Sequence, residues 1–371
     1  MATITTREER GEAIAKLQTQ IQRADENLYT VKSQSGNGEY CVTKVCGEWL
    51  CECPDNKYRH VKCKHIFAVE FSSQIRKEVQ INRVIQEVNV QNCQYCGSNN
   101  LKKDGLRNNK AGAIQKFYCR DCHHYFTINI GFERMKHNPQ AITSAMQLYF
   151  SGESLRNTQK SLKLLGVEVC HKTVFMWIKK YVKLMRDYVE NIVPNVSDTW
   201  RADELWVKIK GDTKYLFALM DDETRFWIAQ EVAETKDRHD AQALFSRAKY
   251  LMGKQPKTLV TDGLMTYSAG CMEVFSQAKH TRHIRLQGDM NNNKMERMNG
   301  EIRDREKTMR GLKTKDTPIL SGYQLFHNYI REHEGLNGKT PSEACGIKVE
   351  GKNKWRTLIQ NASIKSREIR K

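Results

Sequence analysis

Three sets of residues in this 371-residue chain have the types and spacing for chemistry. The first is Cys51-Glu-Cys53, nine residues, then Cys63-Lys-His65. Three soft thiolates and an imidazole suit a tetrahedral zinc ion. The second is Cys93-Gln-Tyr-Cys96 and Cys119-Arg-Asp-Cys122, with 22 residues between the pairs. Two CxxC pairs at this separation predict a zinc ribbon, in which each pair forms a knuckle and the ion joins two hairpins too small to fold without it. The third set is three carboxylates. Asp203 lies in an alternating apolar run, Asp262 follows the apolar run Thr258-Leu259-Val260, and Glu296 opens a charged helical stretch. Converging carboxylates hold hard divalent ions, here Mg²⁺ with Mn²⁺ as a substitute. Two such ions per site can activate a water or a 3′-hydroxyl for phosphoryl transfer.

Periodicity supplies the elements that must position these groups. Residues 5–25 read as a helix, with Ile14, Leu17 and Ile21 at helical spacing. Residues 28–50 read as a hairpin in which Tyr29 and Val31 face Tyr40 and Val42. A helix starting near Ile66 would carry His65 in its first turn. Helices near 140–150, 154–165 and 171–189 follow the plan of a helix-turn-helix. In the last of these, Val174, Trp177, Ile178 and Tyr181 form an apolar stripe. Lys172, Thr173, Lys179 and Lys180 fall largely off it, where they would meet bases and phosphates of DNA. From Trp200 the order is three strands, helix, strand, helix, strand, helix, the last over roughly 291–310. That order suits an RNase H-like core, a mixed five-stranded sheet with helices. In it the first strand, the end of the fourth strand and the last helix converge, so that Asp203, Asp262 and Glu296 would meet. Asp221 and Asp222 read as hairpin-turn residues. His60 reads as a solvated loop histidine, with a substitute ligand of the first cluster as the alternative, and His123 and His124 adjoin a second cluster that four cysteines already close. His280, His283 and the remaining cysteines, Cys41, Cys46, Cys170, Cys271 and Cys345, read as structural.

Lys and Arg number 61 against 43 Asp and Glu, a formal charge of +18 that is spread over both halves of the chain. Such an excess points to a polyanion, most simply nucleic acid. No apolar run approaches the ~20 residues of a transmembrane helix, and the first residues lack the apolar stretch of a signal peptide. A cytoplasmic, nucleoid-associated protein is expected, with thiols that bind metal or stay free rather than pair.

The segment from Cys51 to Val69, preceded by the hairpin and carrying CxCP and CxHI, resembles the SWIM zinc-finger family. Over roughly 93–346 the chain resembles the insertion-sequence DDE transposases of the retroviral-integrase-like branch. The matching features are the CxxC…CxxC ribbon, ADELWVKIKG around Asp203, YLFALMDDETR, LVTDG with Asp262, NKMERMNGEIRDR with Glu296, and FHNYIREHEGLNGKTPSEACG. The 33 residues between Asp262 and Glu296 fall in that family's range. The resemblance implies that Asp203, Asp262 and Glu296 are both catalytic and Mg²⁺-binding. It also implies a basic residue seven positions after Glu296, here Arg303, that touches DNA, with Lys307 and Arg310 along the same path. The SWIM-like finger is not part of the common family plan.

The expected protein is therefore multidomain α/β. An N-terminal helix (1–27) precedes a SWIM-like finger (28–75), a zinc ribbon (88–130) and a helix-turn-helix (137–192). An RNase H-like DDE domain (198–346) and a basic tail (347–371) complete it. The expected function is metal-dependent 3′-end cleavage and strand transfer by a homodimer or larger assembly. Its DNA partners would be the terminal inverted repeats of an insertion element and a target. The alternative is a transposase-derived DNA-binding regulator without catalysis.

Overall fold

The computed structural model describes all residues except 1–5, 16, 18–19, 24–26, 35, 37, 46–47, 78–82, 89–90, 94, 110–111, 128, 283–291, 309–313, 315–316 and 370–371. Cys46, Lys110, His283 and Arg310 thus lie outside the described residues. The chain divides into two compact units, residues 1–80 with 282–292, and 81–281 with 293–371.

In the first unit α1 (Arg7–Ala15) precedes a four-stranded antiparallel sheet of β1 (Ile21–Arg23), β2 (Leu28–Lys32), β3 (Glu39–Val45) and β4 (Glu48–Cys51). A short turn of helix, α2 (Pro54–Lys57), and α3 (Lys64–Lys77) follow. The hairpin register pairs Tyr29 with Val42 and Val31 with Tyr40, as the alternation predicts. The N-terminal helix is shorter than the expected 1–27. It buries Ile14, leaves Leu17 exposed, and gives way to β1, whose Ile21 pairs with Val31. Helical spacing of three apolar residues was insufficient there, because β2 offered a free edge for backbone hydrogen bonds.

In the second unit β5 (Arg83–Ile85) leads to a three-stranded sheet of β6 (Leu101–Asn109), β7 (Gly112–Cys119) and β8 (Tyr125–Thr127). Next come α4 (Pro139–Ser151), α5 (Leu155–Leu164) and α6 (His171–Val189), close to the expected helix-turn-helix bounds. Asn138 and Ser154 cap α4 and α5 through their side chains. Gly166, at φ 76°, follows α5 in a conformation that favours glycine. The α6 stripe Val174, Trp177, Ile178 and Tyr181 is buried and continues into Val182 and Met185.

The large sheet is built from β9 (Thr199–Ile209), β10 (Asp212–Asp221), β11 (Trp227–Ala233), β12 (Thr258–Thr261) and β13 (Lys279–Arg282), in the order β11-β10-β9-β12-β13. The first three strands are antiparallel, whereas β12 runs parallel to β9. This is the mixed five-stranded sheet of an RNase H-like core. Lys210 and Gly211 both have positive φ, as a two-residue hairpin joining β9 to β10 requires. Helices α7 (Arg238–Met252) and α8 (Met265–Val274) flank β12 in sequence, and α9 (Asn293–Glu306) packs on β9. Then come α10 (Pro318–Leu325), a π-helical turn at Phe326–Ile330, α11 (Pro341–Ala344), β14 (Ile347–Val349) and α12 (Lys354–Glu368).

Residues 347–371, expected as a basic tail, are instead largely part of the core. β14 pairs in parallel with β5, and α12 packs on α4 and α6. Trp355 is buried, stacks on Phe150 and Phe326, and donates its indole N–H to Gln147. Residues 352–371 carry seven basic side chains. The helical spacing of Trp355, Leu358, Ile359 and Ala362 decided the structure, since burying them outweighs the solvation of the charged face. Trp355→Ala is expected to destabilise the second unit by about 3–5 kcal/mol. A denaturant titration checks this, and a loss below about 1 kcal/mol would contradict the packing.

The π-helical turn carries a buried imidazole, His327, whose Nε2–H donates to the Arg225 carbonyl at 2.9 Å. Its ring lies 4.7 Å from that of His333. Burial, then nearby arginine charge, lowers His327 to about 4. Burial, then the charge on His327, lowers His333 to about 3. Because the folded values lie below the unfolded one, the unfolded chain binds the proton first. Stability is thus lost as pH falls from about 6.5 towards 4. Between pH 7 and pH 5 the wild-type chain is expected to lose about 2 kcal/mol more than His327→Gln, which keeps the donor. Chemical denaturation at the two pH values measures this. An unchanged gap would show that His327 is not held neutral.

Candidate active site

The register of the large sheet places the first two carboxylates. The parallel ladder pairs Leu259 with Trp200 and Val260 with Arg201. Continued two residues further, it sets Asp262 beside Asp203. The strand β12 has ended by then, so both side chains meet in the open space past its C-terminal end, where sheets of this kind bind ligands. Leu264 donates its backbone N–H to Asp262 at 3.0 Å, and the N–H of Glu204 donates to Asp203 at 2.9 Å.

A third carboxylate joins them, one that residue spacing did not single out. Oxygens of Asp203, Glu204 and Asp262 all lie within 4.8 Å of one another. Glu204 is held from two sides, by Lys236 at 2.6 Å and by the Tyr267 hydroxyl at 2.9 Å. Burial, then the neighbouring Glu204 charge, pushes Asp203 up to about 7, with Asp262 and Glu296 adding to the rise. Burial also raises Asp262, while Lys236 opposes it. A divalent cation would relieve the like-charge repulsion among these carboxylates.

Glu296 sits in the first turn of α9, exposed, and its charge is felt at Asp203. It is not in the group of oxygens within 4.8 Å. The α9 side chain that does reach Asp203 is Asn299, whose amide donates to Asp203 at 2.8 Å. The carbonyl oxygen of Asn299 is buried without a hydrogen-bond partner. An orphaned acceptor beside a carboxylate group fits a site built for a hydrated cation. Sequence reasoning missed Glu204, Asn299, Lys236 and Tyr267. The adjacency of Glu204 to Asp203 was the only signal, and strand alternation would ordinarily send it to the opposite face.

The neighbouring acidic pair serves the fold. Asp221 is fully buried and accepts from the Ser197 backbone and hydroxyl and from the Thr224 backbone. Asp222 forms a buried ion pair with Arg201 at 2.5 Å and a second with Lys294 at 2.9 Å. Both lie at the β10–β11 turn, as the sequence reading placed them.

The cysteine clusters gather as their spacing predicts. Ligand atoms of Cys51, Cys53, Cys63 and His65 lie within 4.8 Å of one another, all four residues buried. His65, in the first turn of α3, turns Nδ1 towards the Cys51 and Cys63 sulfurs at 3.8 and 3.9 Å. Hydrogen bonding from Cys51 and then from His65, against the cost of burial, lowers the Cys63 thiol to about 4. Cys51 shifts upward through the same contact. Crowded thiols that resist ionising together are what a metal would hold as thiolates. Cys93, Cys96, Cys119 and Cys122 form the second group, with Cys93–Cys122 and Cys96–Cys119 sulfurs each 3.6 Å apart. Its knuckles match: Gly97 and His123 follow the second cysteine of each pair with positive φ, and each donates its N–H to the carbonyl of the first. His123 and His124 bond to Tyr118 and to the Cys122 carbonyl instead of joining the group.

The expected DNA contacts are divided. Lys172, Lys179 and Lys180 are exposed on α6, with Lys180 over the Tyr181 ring at 5.0 Å. Thr173 is half-buried, its hydroxyl against the Cys170 sulfur. Arg303 is exposed on α9, and Lys307 pairs with Asp304. Arg305, on the same helix, turns inward to the Tyr149 carbonyl and the Thr308 hydroxyl. Among the described residues no helix is long and apolar enough to cross a membrane.

A DDE domain family matches residues 197–333. The transposase for the insertion sequence-like element IS431mec of Staphylococcus aureus (strain Mu50 / ATCC 700699) is 26% identical over 222 residues. That match covers 58% of this chain and 97% of the relative. The transposase for insertion sequence element IS257 in transposon Tn4003 of Staphylococcus aureus matches to the same extent. Among solved structures, the HTLV-2 integrase catalytic core domain in complex with magnesium is 18% identical with a TM-score of 0.32. The match covers 42% of this chain and 98% of that one. The BIV integrase catalytic core domain is 15% identical with a TM-score of 0.32, over 40% and 93%. The matched DDE segment holds the mixed sheet with Asp203 and Asp262 side by side, and over 58% of its length this chain is similar to transposases of insertion sequences.

Proposed function

We propose that this protein binds the terminal inverted repeats of an insertion element, cleaves at their 3′ ends and joins those ends to target DNA. The observation that carries this reading is the meeting of Asp203 and Asp262 past the end of β12. Asp203, Asp262 and Glu296 would hold the divalent ions, with Mg²⁺ best matched to an all-oxygen donor set. When bound, such ions lower the pKa of a water or 3′-hydroxyl and offset charge on the phosphoryl oxygens. The chain's own contribution is positional. Asn299 orients one oxygen of Asp203, the Glu204 N–H fixes the other, and the Leu264 N–H holds Asp262. Glu296 would swing in from the first turn of α9, a movement a flexible, exposed side chain makes at little cost.

The exposed lysines of α6 and the basic ribbon hairpin, with Lys102, Lys103 and Arg107 exposed, would follow the DNA backbone. The two thiol groups suit zinc, one as three thiolates with an imidazole and the other as four thiolates. Two element ends must be brought together, so a dimer or larger assembly is required. A strand-transfer assay with Mg²⁺ or Mn²⁺ tests the reading. Asp262→Asn and Glu296→Gln should abolish joining while end binding persists. Unchanged joining in either variant would remove that residue from the site. Binding without any joining by the wild-type protein would favour a DNA-binding regulator.

A further inference from the structure

We propose that Lys236 is a DNA-phosphate contact of this active site and that Glu204 is the positioning residue holding it there. This rests on the transposase reading above. The Glu204 side chain is only 5% exposed, and both of its oxygens are engaged, one by Lys236 and one by Tyr267. A carboxylate so buried persists when its charge is paired and its lone pairs are satisfied. Yet Glu204 is not remote from the two aspartates: one of its oxygens lies within 4.8 Å of an oxygen of Asp203 and one of Asp262. The ion pair therefore brings an ammonium to the edge of the carboxylate group.

Lys236 differs from a purely internal counter-ion in its exposure. Its side chain is 40% exposed, and its ammonium lies 5.1 Å from the centre of the Tyr215 ring. Burial works against its charge, but the Glu204 hydrogen bond and charge outweigh this and raise its pKa, so it stays protonated. An ammonium carries three N–H donors, and Glu204 uses one. The remaining donors can meet a ligand from the open side. A DNA strand approaching this site brings phosphate charge towards a cluster of carboxylates. Coulomb repulsion at such distances is strong where water is partly excluded. The Lys236–Glu204 pair cancels one of those carboxylates and presents a donor to the incoming phosphate. Tyr267, buried against Phe217 and Phe245, keeps Glu204 from following the ammonium outward.

The test measures binding of a labelled duplex taken from the DNA bordering this gene, over a series of KCl concentrations. Ca²⁺ replaces Mg²⁺ so that no turnover occurs. Lys236→Met keeps the aliphatic stem and removes the charge. Its log affinity against log salt should have a slope shallower by about 0.9, one phosphate fewer. Lys236→Arg should restore the slope. A structural salt bridge alone would alter melting temperature and leave the slope at the wild-type value, which would overturn the proposal. For Glu204, strand transfer is compared in Glu204→Gln, Lys236→Met and the double variant. A double variant no worse than the poorer single one supports positioning, and additive losses would overturn that part. Asp262→Asn serves as the control. If it abolishes joining while Lys236→Met keeps the wild-type slope, only the Lys236 assignment fails. If Asp262→Asn still joins DNA, the underlying active-site reading fails instead.

Discussion

Asp262→Asn should reduce strand transfer by about a thousandfold or more while leaving the fold and the binding of element ends unchanged. The side chain stands past the end of β12 and is half-buried, so an isosteric amide fits, and its Oδ1 can still accept the Leu264 N–H. On the proposed reading, what is lost is one anionic oxygen donor for divalent ions. Several kcal/mol of transition-state stabilisation depend on such donors, which corresponds to the expected loss. Asp203→Asn should be equally inactive, but with a second signature. Asp203 is crowded by Glu204, Asp262 and Glu296, and burial disfavours its charge. With no Mg²⁺ or Mn²⁺ added, removing that charge should leave the protein at least as stable as wild type, as thermal melts can show. A variant that melted earlier and failed to bind DNA would point to a structural role for Asp203.

Removal of zinc should have the largest effect on stability, and it should act on the two clusters separately. In the first unit the thiols are themselves a substantial part of the core. Cys51, Cys53 and Cys63 are buried with Ile14, Val31, Val42 and Val69. A structural zinc ion contributes about 10–16 kcal/mol of binding free energy, comparable with the whole stability of a domain. A strong chelator should therefore unfold the finger and the ribbon, whose own core among the described residues is little more than Cys93, Cys119 and Phe126. The RNase H-like sheet should remain folded. Metal analysis should find about two zinc ions per chain, one for each four-ligand group. Cys93→Ser combined with Cys96→Ser should lose one of them, and Cys51→Ser combined with Cys63→Ser the other. Full zinc content in either double variant would show that the corresponding group is not a zinc site.

Legibility in the sequence followed the range of the interaction involved. The helix bounds of 139–189 were readable because caps and turn signals are local: Asn138, Ser154 and Gly166 act within a few residues. The β2–β3 register was readable because alternation sets it. Local signals failed at both ends of the chain. Ile21 joined a strand because β2 had an unpaired edge, and residues 354–368 became a core helix because α4 and α6 present an apolar face. Neither partner is visible in the segment itself.

The same division holds at the site. Sequence alone singled out the two cysteine clusters that the structure gathers, since CxC, CxH and CxxC spacings place donors within one turn of each other whatever the rest of the chain does. It also singled out Asp203 and Asp262, which the structure brings together, because strand parity and strand ends are local properties. Only the tertiary structure decided which groups share space with them. Glu204 enters the site because β12 stops at Thr261 and leaves the edge of β9 open. Asn299, rather than Glu296, reaches Asp203, because residues three apart on α9 lie on one face but at different heights above β9. Lys236 arrives from the segment between β11 and α7. These contacts join residues 32, 63 and 96 positions apart. No spacing rule encodes them, because they depend on where the sheet ends and what the helices leave uncovered.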